Sequence, residues 1–331
     1  MAARLPLPVT PRVRPFAERD YIAYARIRTT GEADRTTPES AREADAAWDW
    51  ARYEKVRVVA VDEEDAPLGY AEIYHEPSRF DPRRYFLRLA VDLRMRRHGV
   101  GSLLWTQVLA ELEERDARVV YARARDATAG ATFLAKRRFT EVLRYYNEVR
   151  AVATAPVPTP AQDDRLGRAG IRVATLSDLL RGDADAATKA YDLYYASRTD
   201  QATLGPMTPV PFPAWNAWNV EHANALRDGY FTALDGERYV GQTTARRSAS
   251  DDVLEIGVTG VLPSYRRRGI GRALKLRLHA YARANRYHEI HTTTTRQNTA
   301  MTALNDSLGY VIVESYAGYE LRLGASIPSS P

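Results

Sequence analysis

Two stretches of this chain combine residue types that can grip an anion. Val261-Leu262-Pro263-Ser264-Tyr265-Arg266-Arg267-Arg268-Gly269-Ile270-Gly271 reads V-x-P-x-x-R-x-x-G-x-G, and residues 91–101 repeat the pattern with leucine in place of the proline. Each copy lies between a strand-like run (253–261; 86–91) and a helix-like run (272–286; 102–114), so each is a strand-loop-helix junction. Glycines there let backbone N–H groups converge, the new helix offers unpaired N–H donors, and arginines add forked donors, a combination suited to a diphosphate. The spacing is neither the G-K-[ST] of a Walker loop nor the G-x-G-x-x-G of a dinucleotide fold. Upstream of the second copy, strand alternation sets Leu254, Ile256 and Val258 on one face and Glu255, Gly257, Thr259 and Val261 on the other. Glu255 then stands beside small residues near the loop, where partial burial would raise a carboxyl toward general-base strength. The alternative is a glutamate that simply points into water.

R-x-x-G-x-G after V-x-P resembles the acyl-coenzyme A signature of the GNAT superfamily of N-acetyltransferases. The resemblance covers most of both halves and is sharpest over 253–310. It implies acetyl-CoA as cofactor, bound by Thr259, Gly260, Val261, Arg266, Arg267, Arg268, Gly269, Ile270, Gly271 and Arg272, with Val91, Arg96, Arg97, Gly99 and Gly101 as a weaker first-half counterpart. Several GNAT enzymes place a catalytic glutamate six residues before the valine, which implies Glu255 as general base. The same count in the first half gives Tyr85, a poor base near neutral pH with a pKa of roughly 10.

Asn298, Met301, Asn305, Leu308, Gly309 and Tyr310 resemble the N-x-x-M-x-x-x-N-x-x-L-G-[FY] pattern of tandem GNAT enzymes, which implies that Asn298 reaches the cofactor; a plain helix cap is the other reading. Ala127 and Arg138 replace the asparagine and glycine in the first half, so that site is expected to be degraded, though still able to hold a coenzyme A. Many family members carry a tyrosine four residues before the glycine as acid for the thiolate; this chain has Asn305, which leaves Tyr310, Tyr316, Tyr319 or a water. The tandem arrangement also resembles that of mycothiol synthase.

The elements that must position these residues recur in order. Strand runs in meanders with interspersed helices predict an α+β fold: two GNAT-like domains in tandem, each a mixed, mainly antiparallel sheet flanked by helices. Helices are expected at 177–197, 215–227 and 298–308, among others, and the proline-bearing stretch around Pro156, Pro158 and Pro160 as an extended linker. The expected domains are therefore 1–155, a linker at 156–168, a catalytic domain at 169–323 and a disordered tail at 324–331.

A chain of 331 residues that is 45% hydrophobic can bury two ordinary cores. Its net charge of +5 is spread along helices among acids, as in Glu111-Leu112-Glu113-Glu114-Arg115, which argues for a solvated surface and against a nucleic-acid partner. Only four of the 47 basic residues are lysines, namely Lys55, Lys136, Lys189 and Lys275. The absence of cysteine excludes a cysteinyl enzyme, a thiolate metal site and disulfides, and fits a reducing, cytoplasmic setting. No metal is expected. Neither a membrane-length apolar run nor a secretion signal in 1–16 is evident, and both a monomer and a homodimer are compatible.

The acceptor site falls to segments outside these motifs. Tyr194, Asp200, Trp215 and Trp218 are the candidates for an aromatic-walled, acidic pocket around the amine of a small molecule such as an amino sugar or antibiotic, against which stands the reading that aromatics at helical spacing are core. A protein or peptide amine acetyltransferase with a long acidic groove, and a non-catalytic acyl-CoA sensor, are the rival functions.

Overall fold

The computed structural model describes residues 10–31 and 36–324. The expected tail lies outside these residues apart from Gly324. They fall into two compact units: the first takes the described residues up to Val142 together with Leu204–Thr208 and the chain from Gly318 onward, and the second takes Leu143–Thr203 and Pro209–Ala317.

In chain order the first half runs β1 (Arg12–Pro15), α1 (Tyr21–Gly31), α2 (Pro38–Ala46), β2 (Lys55–Val61), β3 (Pro67–Tyr74), β4 (Arg84–Val91), α3 (Val100–Glu114), β5 (Val119–Arg125), α4 (Ala129–Lys136) and β6 (Thr140–Ala151). The second half runs α5 (Pro160–Arg168), β7 (Ile171–Thr175), α6 (Leu176–Gly182), α7 (Ala186–Ala196), α8 (Phe212–Asn216), β8 (Phe231–Asp235), β9 (Arg238–Arg247), β10 (Val253–Val261), α9 (Ile270–Ala284), β11 (Glu289–Thr295), α10 (Thr299–Ser307) and β12 (Val311–Arg322). No described helix is long and apolar enough to cross a membrane.

Within the first unit β1, β2, β3 and β4 pair antiparallel and β4 pairs parallel with β5. Within the second, β7, β8, β9 and β10 pair antiparallel, β10 pairs parallel with β11, and β11 pairs antiparallel with β6. The mixed, mainly antiparallel architecture is as the alternation predicts. Unlike the division into sequence halves, β6 is used in the second unit: Glu289 to Thr295 register against Ala151 to Tyr145.

The core of the second unit follows the helical period of α9, whose Ile270, Ala273, Leu274, Leu276, Leu278 and Ala282 are buried against the sheet. Three expected elements differ. The 156–168 stretch contains helix α5, because Thr159 and Gln162 form a capping box, Pro160 fits the first turn, and Leu166 finds a buried place. The helix expected over 177–197 breaks into α6 and α7, where Asp183 accepts from the Asp185 N–H at 2.9 Å and pairs with Lys189 at 2.7 Å. The helix expected over 215–227 shrinks to α8 and one π-helical turn, Ala217–Glu221, before Ala225 bridges to Arg246 of β9. Single π turns of this kind occur frequently at functional sites.

Candidate active site

β10 is the strand on which the candidate chemistry sits. It pairs with β11 only from Val253 to Glu255, opposite Glu289 to His291, and beyond Glu255 its edge on that side has no partner strand among the described residues. On the other side its register against β9 shifts by one residue between Ile256 and Thr259, so Gly257 and Val258 together oppose Thr244. The extra residue is a β-bulge. Thr244 stabilises it: its Oγ1 accepts the Val258 N–H at 2.8 Å, and a Cβ on Gly257 would stand 2.6 Å from that oxygen.

The bulge corrects the simple alternation. Glu255 faces the same side as Arg246, its cross-strand partner, and Gly260 that of Gln242. Thr259 pairs with Thr243, on the opposite side with Leu254 and Ile256, and Val261 packs there with Ile270 of α9. Thr259 and Val261 therefore do not share the face of Glu255, because one inserted residue reverses the parity. Glu255 itself is exposed on a central strand, not partly buried.

The first unit has no such bulge: β3 and β4 register without a break from Gly69↔Val91 to Tyr74↔Phe86. The residue that holds the place of Glu255 is consequently Phe86 and not Tyr85. Phe86 registers with Tyr121 of β5 and Tyr74 of β3, as Glu255 does with His291 of β11 and Arg246 of β9. Tyr85 is turned to the other side and buried, its hydroxyl donating to Glu54 at 2.7 Å. The first-unit face is filled: Phe86 packs on Tyr74 and Tyr121, and buried Glu72 is held by Arg57 and Arg88. Those two guanidiniums and Lys55 keep the Glu72 carboxyl low against the upward push of its burial, so the network remains ionised and self-neutralised.

Both junction loops share one backbone course. A single 3-10 turn follows the strand (Leu93–Met95; Pro263–Tyr265), then Arg97 and Arg267 take left-handed φ of 67° and 63°, and Gly99 and Gly269 take φ of 86° and 82° before α3 and α9 begin. A non-glycine residue held there costs about 1 kcal/mol. The opening turns of α3 and α9 leave N–H groups without intrahelical acceptors, which suits an anion. Arg266 is otherwise engaged: its Nε donates to the Val261 carbonyl at 3.0 Å and its guanidinium pairs with Asp200 at 2.8 Å. Arg96 makes the corresponding bond to Val91 at 3.4 Å. Arg268 donates to Ser264 at 3.1 Å and Arg272 to Ser307 at 2.9 Å.

An acetyltransferase (GNAT) family model matches residues 22–139 and again 189–310. The chain belongs to the GNAT family. No curated protein matches it significantly. Among solved structures it is similar to a GCN5-related N-acetyltransferase from Sphaerobacter thermophilus, with a TM-score of 0.69 at 19% identity over 96% of this chain and 97% of that one. It is also similar to a tandem GNAT protein from the clavulanic acid biosynthesis pathway, with a TM-score of 0.70 at 13% identity over 96% and 100%. A third likeness is to the glucosamine N-acetyltransferase region of a fungal multi-domain β-N-acetylglucosaminidase, with a TM-score of 0.70 at 13% identity over 95% of this chain and 38% of that one. GNAT enzymes generally use acetyl-CoA and act on amines, and this chain carries two GNAT domains in tandem.

At the position where many GNAT enzymes carry an acidic tyrosine, Asn305 is fully buried and donates to Glu148 at 2.6 Å. Around them lies a buried polar cluster. Burial pushes the Glu148 carboxyl up and pulls the Lys275 ammonium down to about 7, while Lys275 sits 4.6 Å from the Tyr310 ring centre. His279 is drawn down to about 4 by burial; its neutral ring donates from Nδ1 to the Pro156 carbonyl and accepts the Tyr310 hydroxyl at Nε2, both at 2.9 Å. Tyr310 is thus committed to His279, and burial raises its own pKa, both of which count against a role as proton donor. Tyr316 stacks on Tyr145, and Tyr319 belongs to the first unit.

The four acceptor-site candidates have different environments. Trp215 is a core residue, 2% exposed, packed on Tyr191 and Tyr194. Asp200 is taken up by Arg266, which corrects the acidic pocket. Trp218 is 56% exposed, with the Arg246 guanidinium 4.3 Å from its ring centre, and Tyr194 packs edge-on against Trp215 with the Arg198 guanidinium 4.7 Å from its own ring centre. Asn298 caps α10, its Oδ1 accepting the Met301 N–H at 3.2 Å. An open cavity of about 430 Å³, lined by His222, Asp228, Arg247, Tyr281 and Asn285 among others, does not include Glu255. Sequence reasoning missed Arg246, whose place opposite Glu255 follows from counting back across the 248–252 turn.

Proposed function

We propose that the second unit transfers an acetyl group from acetyl-CoA to a primary amine of a small molecule, with Glu255 as general base. One observation carries this reading: Glu255 is the last β10 residue paired with β11, followed at once by the bulge and by a strand edge that runs unpaired to the junction loop. The fit of acetyl-CoA is supported by that free edge over 256–261, by the left-handed Arg267 and Gly269, and by the N-terminus of the 15-residue α9. Arg267 to Arg272 would hold the diphosphate through backbone N–H groups, and Asn298, the cap of α10, is a further candidate contact from the second motif. Bound acetyl-CoA supplies a thioester carbonyl for a free amine to attack and a thiolate to leave.

The residues of the chain then have three tasks. Glu255, exposed and open to a bridging water, removes a proton from the acceptor ammonium, so that its lone pair becomes available. A backbone N–H of the free β10 edge near Val261 meets the negative charge that develops on the carbonyl oxygen, a contact worth about 3 kcal/mol. No side chain needs to protonate the departing sulfur, since a thiol with a pKa of about 8.5 leaves tolerably as its anion. The first unit, with Phe86 in place of the base and no bulge, is a degenerate site in which Val91, Arg96, Arg97, Gly99 and Gly101 keep the loop form.

Glu255→Gln tests the reading. It should leave the Kd for acetyl-CoA unchanged by calorimetry and lower kcat at least about tenfold in a thiol-release assay on an accepted amine. Unchanged turnover would remove Glu255 as base. Absence of acetyl-CoA binding by the wild type would remove the enzyme reading altogether.

A further inference from the structure

The acceptor face of the second unit carries a positive group that the catalytic reading does not use. Arg246 of β9 registers directly against Glu255, is partly buried, and has its guanidinium carbon 4.3 Å from the centre of the exposed Trp218 ring. Its described hydrogen bond is a long one, from Nη1 to the Trp218 carbonyl at 3.4 Å, and among the described residues no carboxylate stands within ion-pair distance. Arg246 shares this state with Arg137 and Arg272, partly buried guanidiniums whose hydrogen bonds go to neutral oxygens. Arg14, Arg57, Arg88, Arg115 and Arg266 all hold a carboxylate. Burial lowers the Arg246 pKa, with Glu255 and Tyr194 the charged or titratable groups that act on it. The first unit puts Tyr74 at the corresponding place, so the arginine is not demanded by the sheet. The π turn Ala217–Glu221 presents Trp218, and the His222 ring lies 4.6 Å from the Trp218 ring.

The geometry points to Arg246 as the residue that selects the acceptor: an amine bearing its own anionic group, carboxylate or phosphate, which the guanidinium holds against Trp218 while the amino group faces Glu255. This rests on the acetyl-transfer reading above. Planar, forked donors match either anion, and an arginine stacked on an aromatic ring keeps that fork in one orientation. The arrangement replaces the acidic pocket expected from Asp200, and it assigns opposite charges of one substrate to the two cross-strand partners.

A thiol-release panel of matched pairs tests it on the full chain: amino acids against their amides, and amino sugars against their 6-phosphates, which separates carboxylate from phosphate. The charged member of the accepted pair should have the lower KM, and Arg246→Gln should raise that KM by about tenfold to hundredfold while KM for the neutral member and for acetyl-CoA stays unchanged. Arg246→Lys, which keeps the charge and loses the fork, should fall between. A preference for neutral members, an equal rise in both KM values, or a change confined to kcat would overturn the assignment. A second readout needs no turnover: acetate and inorganic phosphate titrations followed on Trp218 fluorescence, taken as the difference between wild type and Trp218→Phe. Anion binding abolished by Arg246→Gln sustains the site even if no tested amine is acetylated, whereas identical titrations in both proteins overturn it.

Discussion

At Gly257 the room for a side chain is already taken: a Cβ there would lie 2.6 Å from the Thr244 hydroxyl that holds the Val258 N–H. Gly257→Ala must therefore displace Thr244 or flatten the bulge. Overpacking of this kind costs about 1 to 3 kcal/mol, and a flattened bulge would put Glu255 out of phase with the downstream strand. The expected outcome is a lowered Tm together with a fall in kcat at least as large as that of Glu255→Gln. A full-rate Gly257→Ala enzyme would show that the bulge has no part in catalysis. The same glycine marks what a sequence could and could not say. The valine-to-glutamate count in the second half is readable because the motif is contiguous, but the extra residue that makes Phe86, not Tyr85, the partner position is visible only once cross-strand register is known.

The two junction loops invite a paired experiment at the level of the element. Gly99 and Gly269 have left-handed φ of 86° and 82°, and a methyl group added at either would find no atom within 4 Å, so alanine meets only backbone strain, about 1 kcal/mol. Both variants should lose similar stability in thermal melts. Gly269→Ala should in addition weaken acetyl-CoA binding and turnover, while Gly99→Ala should keep turnover if the first site is idle; the reverse pattern would exchange the roles of the two units. These loops were legible, since V-x-[P/L]-x-x-R-x-x-G-x-G records the backbone course directly, and so were the long strands and α9. The breaks between α6 and α7 and after α8 were not, because helical periodicity continues through Asp183 and Trp218 while local hydrogen bonds end the helix.

Buried Lys275 of α9 gives a second test at this scale. Its folded pKa is about 7, well below that of the unfolded chain, so between about pH 7 and the ordinary lysine range the unfolded chain binds more protons and stability rises with pH. The slope should approach 1.4 kcal/mol per pH unit at most, roughly one proton. His279, drawn to about 4, adds a rise of the same sign between pH 4 and the ordinary histidine range. Lys275→Met should abolish the alkaline rise and leave the acid limb, as read from denaturant melts across pH. An unaltered alkaline limb would mean that the ammonium is solvated in the folded protein.

Considered as a whole, the chain does not divide where its sequence repeats. The repeat and the prolines near residue 160 suggest a cut there, yet β6 registers along β11 from Tyr145 to Ala151, and the described chain from Gly318 belongs to the first unit. A fragment of residues 161–331 should lack the partner of β11 and expose its edge, so it is expected to aggregate when expressed alone and to be rescued by co-expression of 1–160. A soluble, cooperative 161–331 fragment would contradict this. What hid the arrangement from the sequence is that a strand carries the same alternation whichever neighbour it pairs with.

The allocation of Gly318 to Arg322 has a consequence for vectorial synthesis. Multidomain chains ordinarily complete the amino-terminal module while the ribosome is still making the next. Here the amino-terminal unit includes Gly318 to Arg322, which are translated after the whole of the second unit, so it has to wait, nearly assembled, until that unit has been made. Completion of the first unit then follows synthesis of the second, and a premature stop between Val311 and Ala317 would leave two incomplete modules instead of one.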